Sequence, residues 1–271
     1  METFHSDRLI TYHSNQSKSC YTFRKALLDR NYKVNHFHLN PTQIGIPNDR
    51  PRHYSIAVLP FEESYLLNPI ITKRFTSNES LDSTVENDNF VIQKSLPDCG
   101  DKMNPDTLVP LSKYLDSDNS HRKELMVPEK LIQSDSSWCF DIVTPKDSRS
   151  ACFTSSYGRF IRGTGSVIYT GSKQFGQLKL LPPEERTFDS EWSQGLDLVD
   201  NLRYFSGVEI GRLFGFPMDA IVDGNNTSTF RFPPDCTERQ QWKLLGNSIN
   251  VHVAAKMAYI GLSVMLAGHE E

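Results

Sequence analysis

Three short stretches carry side chains whose types and spacing could do chemistry. In residues 43–54, QIGIPNDRPRHY, Arg50 and Arg52 flank Pro51. Alternation around the proline points both guanidiniums to one side, where they either contact an anionic group or are simply solvated. Residues 144–170 read TPKDSRSACFTSSYGRFIRGTGSVIYT. Between Val143 and Lys173 lie five basic residues (Lys146, Arg149, Arg159, Arg162, Lys173) against one acidic residue, Asp147. Phe153, Tyr157, Phe160 and Tyr169 interleave with them. Guanidiniums bind phosphate and aromatic faces stack on unpaired bases, so this is the chemistry of a single-stranded nucleic-acid surface. A glycine-rich loop with ordinary solvating charges has the same composition. The third stretch is LLGNSINVHVAAKM, residues 244–257. A polar turn, Gly246-Asn247-Ser248, precedes an apolar-periodic helix. Free N–H groups and the positive end of a helix dipole suit a carboxylate or phosphate there. The plainer reading is a helix capped by Ser248 or Asn250.

These residues need elements to hold them. Val253, Met257, Ile260 and Val264 recur at helical spacing and predict a buried face on the last helix. Ser206 and Glu209 form a capping box at a helix start, Gly215 suits a left-handed C-terminal cap, and Pro217 prevents continuation. Residues 238–245 predict another helix. Near the start, residues 21–30 read as a short helix with Phe23, Ala26 and Leu27 inward, and 32–39 as a strand. The prolines and Gly45 of 41–54 predict an irregular loop. Residues 53–59 are the clearest strand, apolar on both faces and so expected to be covered on both sides. Another strand is expected at 138–143. Residues 61–137 are rich in Ser, Asp, Asn and Glu and read as an exposed acidic connector; 171–200 read as a linker.

The net charge of -4 gives no global signal for nucleic acid, so a local patch must carry any such contact. Cys20, Cys99, Cys139, Cys152 and Cys236 are odd in number and lack metal spacing, which predicts reduced thiols and no zinc site. No run approaches the ~20 apolar residues of a membrane span. A cytoplasmic or nuclear location is expected.

Four of these segments resemble, in order, motifs of the cytosine-5 methyltransferases. QIGIPNDRPRHY resembles the loop and strand bearing two arginines one residue apart. CFTSSYGRFIRGTGS resembles the Cys-Phe-Thr segment of the target-recognition region in the tRNA(Asp) cytosine-5 methyltransferases, first classed as the second DNA methyltransferase family. RYFSGVEIGRLFGFP resembles that subfamily's penultimate motif and LLGNSINVHVAAK its last. The resemblance implies an α/β, Rossmann-like fold dependent on S-adenosylmethionine, truncated, with an inserted target-recognition region. Its parts would be an unmatched lead-in (1–20), the C-terminal part of the catalytic domain (21–60), the target-recognition region with its acidic connector (61–200), and C-terminal motifs returning to the catalytic domain (201–271).

By the same resemblance, Arg50 and Arg52 are supporting catalytic arginines that contact a flipped cytosine, its phosphates or the catalytic loop. Asn247 and Ser248 contact S-adenosylmethionine. Cys152, Phe153 and Thr154 either shape an RNA-facing cleft or form a buried strand, and Arg159 and Arg162 contact phosphate. The expected substrate is a cytosine in the anticodon stem-loop of tRNA(Asp). That chemistry needs a thiolate to attack carbon 6 and an acid to protonate ring nitrogen 3. The family takes these from Pro-Cys-Gln and Glu-Asn-Val segments and rests the cofactor on a glycine-rich turn. No cysteine here follows a proline, and the first glycine is Gly45. The chain is therefore expected to begin after the catalytic glutamate, to be inactive alone, and to need the missing N-terminal half as partner. The alternatives are a truncated isoform that only binds RNA, and the tail of a DNA cytosine-5 methyltransferase, which the Cys-Phe-Thr triplet disfavours.

Overall fold

The computed structural model describes residues 18–59, 92–93, 108–116, 122–171, 198–218 and 230–266. Most of the acidic connector and of the 171–200 linker lies outside the described residues. The described parts of the connector are largely exposed or half-exposed, as expected, but they are pinned at three points. Leu111, Leu125 and Val127 are buried among core side chains, because short apolar clusters between polar stretches are enough to anchor a wandering chain.

One layer is built on the first half. Helix α1 (Lys18–Leu28) leads to β1 (Lys33–Leu39), then to a one-turn 3-10 helix at Pro41–Ile44, then to β2 (Arg52–Val58). Phe23 of α1 is exposed rather than inward; Ala26 and Leu27 are half-buried. Strands β1 and β2 pair antiparallel, with Phe37 opposite Tyr54 and Leu39 opposite Arg52. A short β3 (Ile92–Gln93) joins β1 in parallel on its other edge. The loop 41–54 is more ordered than its prolines predict. Asn40 caps the 3-10 turn and Gln43 closes the capping box, with Pro41 at the first position, where its missing N–H costs nothing.

The second layer is a small sheet in the order β4 (Asp141–Val143), β5 (Ser166–Tyr169), β6 (Leu202–Arg203). Strand β5 lies within the stretch that composition reads as a glycine-rich loop. All of its residues are buried. Val143 and Ile168 pack into one core, whereas Ile142, Val167 and Tyr169 pack into another on the opposite face. A strand covered on both faces shows no alternation, so the period-2 signal is lost.

Helices close the structure. Short α2 (Arg122–Leu125) and α3 (Glu129–Ile132) precede β4, and α4 (Leu198–Asn201) precedes β6. Helix α5 (Gly207–Leu213) starts on the expected Ser206–Glu209 capping box and is followed by Gly215 at φ 79. Helix α6 (Glu238–Gly246) is capped by Thr237. Helix α7 (Val251–Leu266) lays Val253, Met257 and Ile260 against Phe37, Leu39 and Ile56. Each such side chain contributes about 1.5–3 kcal/mol when fully buried. The other face of β2 is less covered than expected, since Ser55 is exposed. Among the described residues no helix is long and apolar enough to cross a membrane.

Candidate functional site

The loop before β2 is stitched to the segment before β5. Asn48 is fully buried and donates through Nδ2 to Ser150 Oγ (3.1 Å) and to the Ala151 carbonyl (3.0 Å). The Asp49 N–H donates to the Ser150 carbonyl at 2.8 Å, and Arg149 pairs with Asp49 at 3.0 Å. Asn40 holds the loop from the other side, accepting the Arg50 N–H at 3.1 Å. These bonds fix where Arg50 and Arg52 leave the backbone.

Arg50 points inward and is 1% exposed. Its Nη1 donates to the Phe153 carbonyl at 2.6 Å, and its Nη2 to the carbonyls of Gly246 (3.0 Å) and Ser248. The guanidinium also lies 4.4 Å over the Phe214 ring. These partners include no carboxylate; carbonyl dipoles and the ring face stabilise its charge. Gly246 ends α6, so the acceptors there include the negative end of a helix dipole. Burial pulls the Arg50 guanidinium down to about 10; Cys152 opposes the drop and Arg52 adds to it. It remains charged at neutral pH. Contact with a flipped base, expected from the family pattern, is thus not the job this geometry gives Arg50. It clamps the Cys-Phe-Thr segment to the turn between α6 and α7.

Arg52 is only half-buried. Its Nη2 lies 3.8 Å from Cys152 Sγ, while Arg50 Nη1 reaches the same sulfur at 3.4 Å. Both arginines therefore do lie on one side, with the half-buried Cys152 thiol between them. Burial pushes the neighbouring Tyr54 phenol up, against the pull of Arg52 and Arg50. Phe153 is buried, packed edge-on to Tyr157 and Phe205, so within the triplet the buried alternative holds for Phe153 alone. Thr154 is half-buried and its N–H donates to the Thr164 carbonyl at 2.9 Å. Tyr157 and Tyr169 are buried too and are removed from any base-stacking surface. The Tyr157 hydroxyl donates to the Ser166 carbonyl at 2.6 Å and accepts the Phe205 N–H at 3.0 Å. Burial pushes its phenol well up. Arg159, Phe160 and Arg162 stay exposed.

The turn at 246–250 also differs from an open anion cradle. The N–H groups of Asn247 and Ser248 are bonded back to α6 carbonyls, and the Val251 N–H to the Phe214 carbonyl at 2.7 Å. Asn250, not Ser248, caps α7, accepting the Val253 N–H at 3.2 Å. Ser248 Oγ donates to the Leu245 carbonyl at 2.7 Å. What the turn offers outward is the exposed side chains of Asn247 and Ile249. Among the described residues no cluster of His, Cys, Asp or Glu could hold a metal ion.

Gly246 is needed for the close approach of this turn to the recognition segment. A Cβ there would lie 2.1 Å from the Ser155 nitrogen and 2.2 Å from the Thr154 carbonyl carbon. Both are backbone atoms and cannot swing aside. Gly246→Ala is expected to destabilise the protein by about 1–3 kcal/mol in urea denaturation. A loss below about 0.5 kcal/mol would show that the two backbones part freely.

The residues that sequence reasoning overlooked are Asn40, Asn48 and Arg203. Asn40-Pro41-Thr42-Gln43 carried a readable signal, a capping box with proline at its first position. Asn48 and Arg203 carried none, since their partners are set by the fold.

Residues 9–260 match the C-5 cytosine-specific DNA methylase family, a range that starts inside the segment read as an unmatched lead-in. The tRNA (cytosine(38)-C(5))-methyltransferase of Homo sapiens is 30% identical over 261 residues, covering 84% of this chain and 63% of the relative. The DNA (cytosine-5)-methyltransferase of Dictyostelium discoideum is 30% identical over 261 residues, covering 90% of this chain and 60% of the relative. The chain thus spans about three fifths of the length of these curated relatives. Among solved structures, the S. pombe Dnmt2 methyltransferase aligns with a TM-score of 0.61 at 24% identity, over 93% of this chain and 64% of that one. The Entamoeba histolytica methyltransferase EhMeth aligns with a TM-score of 0.57 at 24% identity, over 92% of this chain and 59% of that one. These likenesses bear out the α/β fold of S-adenosylmethionine-dependent methyltransferases expected from the motifs. Motif order, the clamp that joins three of those motifs and the match across most of the chain lead to one assignment: the chain belongs to the C-5 cytosine-specific DNA methylase family.

Proposed function

We propose that these residues form the substrate-facing side and one cofactor wall of a tRNA cytosine-5 methyltransferase, acting on a cytosine in the anticodon loop of tRNA(Asp). The observation that carries this reading is the meeting of Arg50, Arg52 and Cys152 with the 246–248 turn, which joins the arginine loop, the Cys-Phe-Thr segment and the last motif at one place.

Arg50 positions the segments around it. Arg52, half-buried beside Cys152, is the cation placed to face an incoming nucleotide phosphate. Cys152 shapes the cleft and is not the nucleophile: it follows Ala151 rather than proline and sits in the recognition segment. An attacking thiol must be placed within about an ångström, which belongs to another loop in this family's pattern. Asn247 and Ser248, with Ile249 beside them, would line one wall for S-adenosylmethionine, which when bound supplies an electrophilic methyl group. The thiolate for carbon 6 and the acid for ring nitrogen 3 would come from a partner segment carrying Pro-Cys-Gln and Glu-Asn-Val.

The 271 residues alone are therefore expected to transfer no methyl group. A tritiated-methyl assay on tRNA(Asp) checks this, and turnover above background would overturn it. A second reading, a non-catalytic RNA binder, is favoured by the lack of any cysteine preceded by proline. Tight binding of tRNA with no turnover, even when the complementary family segment is added, would select it. A DNA substrate is the third reading. The name of the Dictyostelium relative favours it and the Cys-Phe-Thr triplet opposes it; the same assay on duplex DNA tests it.

A further inference from the structure

Of the four aromatic residues that interleave with the basic side chains of 144–170, burial leaves one outside. Phe153, Tyr157 and Tyr169 are core residues, whereas Phe160 is 57% exposed. Its position is built rather than incidental. The loop 154–164 is closed at its ends by the Thr154 N–H donating to the Thr164 carbonyl at 2.9 Å. Tyr157 anchors its inner side against Trp242 and Tyr204. Within it, the Arg159 N–H donates to the Ser156 carbonyl at 2.9 Å, and Thr164 Oγ1 donates to the Phe160 carbonyl at 2.6 Å. The backbone on both sides of Phe160 is therefore tied down while its ring stays in water. The Arg159 guanidinium lies 5.2 Å from the ring centroid, and Arg162 adds a second exposed cation on the same turn.

We propose that Phe160 is the stacking platform for one unpaired nucleobase, with Arg159 and Arg162 steering the flanking phosphates. The proposal rests on the RNA reading above and names the residue that would distinguish a loop from a paired stem. An exposed aromatic ring beside cations suits a base because every base offers a π-face and every nucleotide a phosphate. A paired helix hides its bases and offers only phosphate and sugar, so a platform of this kind gains nothing from duplex. The tied-down turn matters because a backbone already fixed before binding loses little further freedom when the ring stacks.

The test uses the full chain with two RNA probes of matched phosphate number, a stem-loop and a blunt duplex, titrated at several salt concentrations. Phe160→Ala and Phe160→Leu are expected to weaken stem-loop binding by about tenfold. They should leave duplex affinity and salt slope unchanged, and Phe160→Trp should restore the loop preference. A 2-aminopurine placed in the loop should be quenched by the wild-type chain and not by Phe160→Ala. Arg159→Ala with Arg162→Ala should instead lower both affinities and flatten the salt slope. If the arginine variants do flatten the slope but Phe160→Ala keeps its loop preference, or weakens loop and duplex alike, the stacking proposal is overturned and the RNA reading stands. If the arginine variants change nothing, the RNA-facing surface itself is wrong, and the platform with it.

Discussion

Arg50→Ala is expected to cost the protein about 3–5 kcal/mol of stability. The substitution leaves the carbonyls of Phe153, Gly246 and Ser248 without their donor, the first of them in a buried bond. It also removes the cation above Phe214 and opens a cavity the size of the guanidinium. A charge-assisted hydrogen bond contributes about 1.5–3 kcal/mol, and orphaned buried acceptors add to the loss. Arg50→Lys should recover little, because a point charge cannot reproduce the forked geometry. Urea denaturation followed by circular dichroism reads both variants. A loss below about 1 kcal/mol for Arg50→Ala would mean the clamp contributes nothing to folding.

Glu209→Ala is expected to cost a similar amount, about 3–5 kcal/mol, by stranding a buried charge. Both oxygens of Glu209 accept from Arg203, at 2.7 and 2.8 Å, and both partners are buried. The same carboxylate accepts the Ser206 N–H at 2.9 Å as the reciprocal half of the capping box, and the Asp116 N–H at 3.0 Å. One side chain thus caps α5, neutralises β6 and holds the segment after Lys113. The double variant Arg203→Met with Glu209→Leu should be more stable than Glu209→Ala, since an apolar pair leaves no charge behind. A double variant less stable than the single one would show that Arg203 has another role.

What the sequence made legible was local. The capping box at Ser206 and Glu209, the left-handed Gly215 and the buried Val253, Met257 and Ile260 of α7 each depend on residues a turn or two apart, and each stands as read; the side chain of Val264, expected on the same face, lies outside the described residues. The α/β class followed from motif order. Other features depend on distant partners. Arg50 reads from its motif as a cation for a flipped cytosine, its phosphates or the catalytic loop, yet it is buried because acceptors more than a hundred residues away converge on it. Tyr157 looks like a stacking residue, but its hydroxyl bonds to β5 and to the start of α5 draw it inward. Strand β5 was hidden because burial on both faces erases alternation. For the site, motif resemblance picked out Arg52, Cys152 and the 246–248 turn, and the fold brings them to one place. The division of labour between a buried clamp and an exposed cation could be read only from the fold.

The Arg50 clamp also sets a timetable for synthesis on the ribosome. Its acceptor Ser248 lies 198 residues downstream. At ordinary elongation rates of roughly 5–20 residues per second, on the order of 10–40 s separate the emergence of the arginine from that of its last partner. Through that interval the guanidinium stays hydrated and the loop around it stays open. Contacts of such high sequence separation close late, after helices and hairpins have formed. The nascent chain must therefore carry β1 and β2 without the covering α7 until residues 251–266 appear. A chaperone that shields apolar strand faces would have its client in that window.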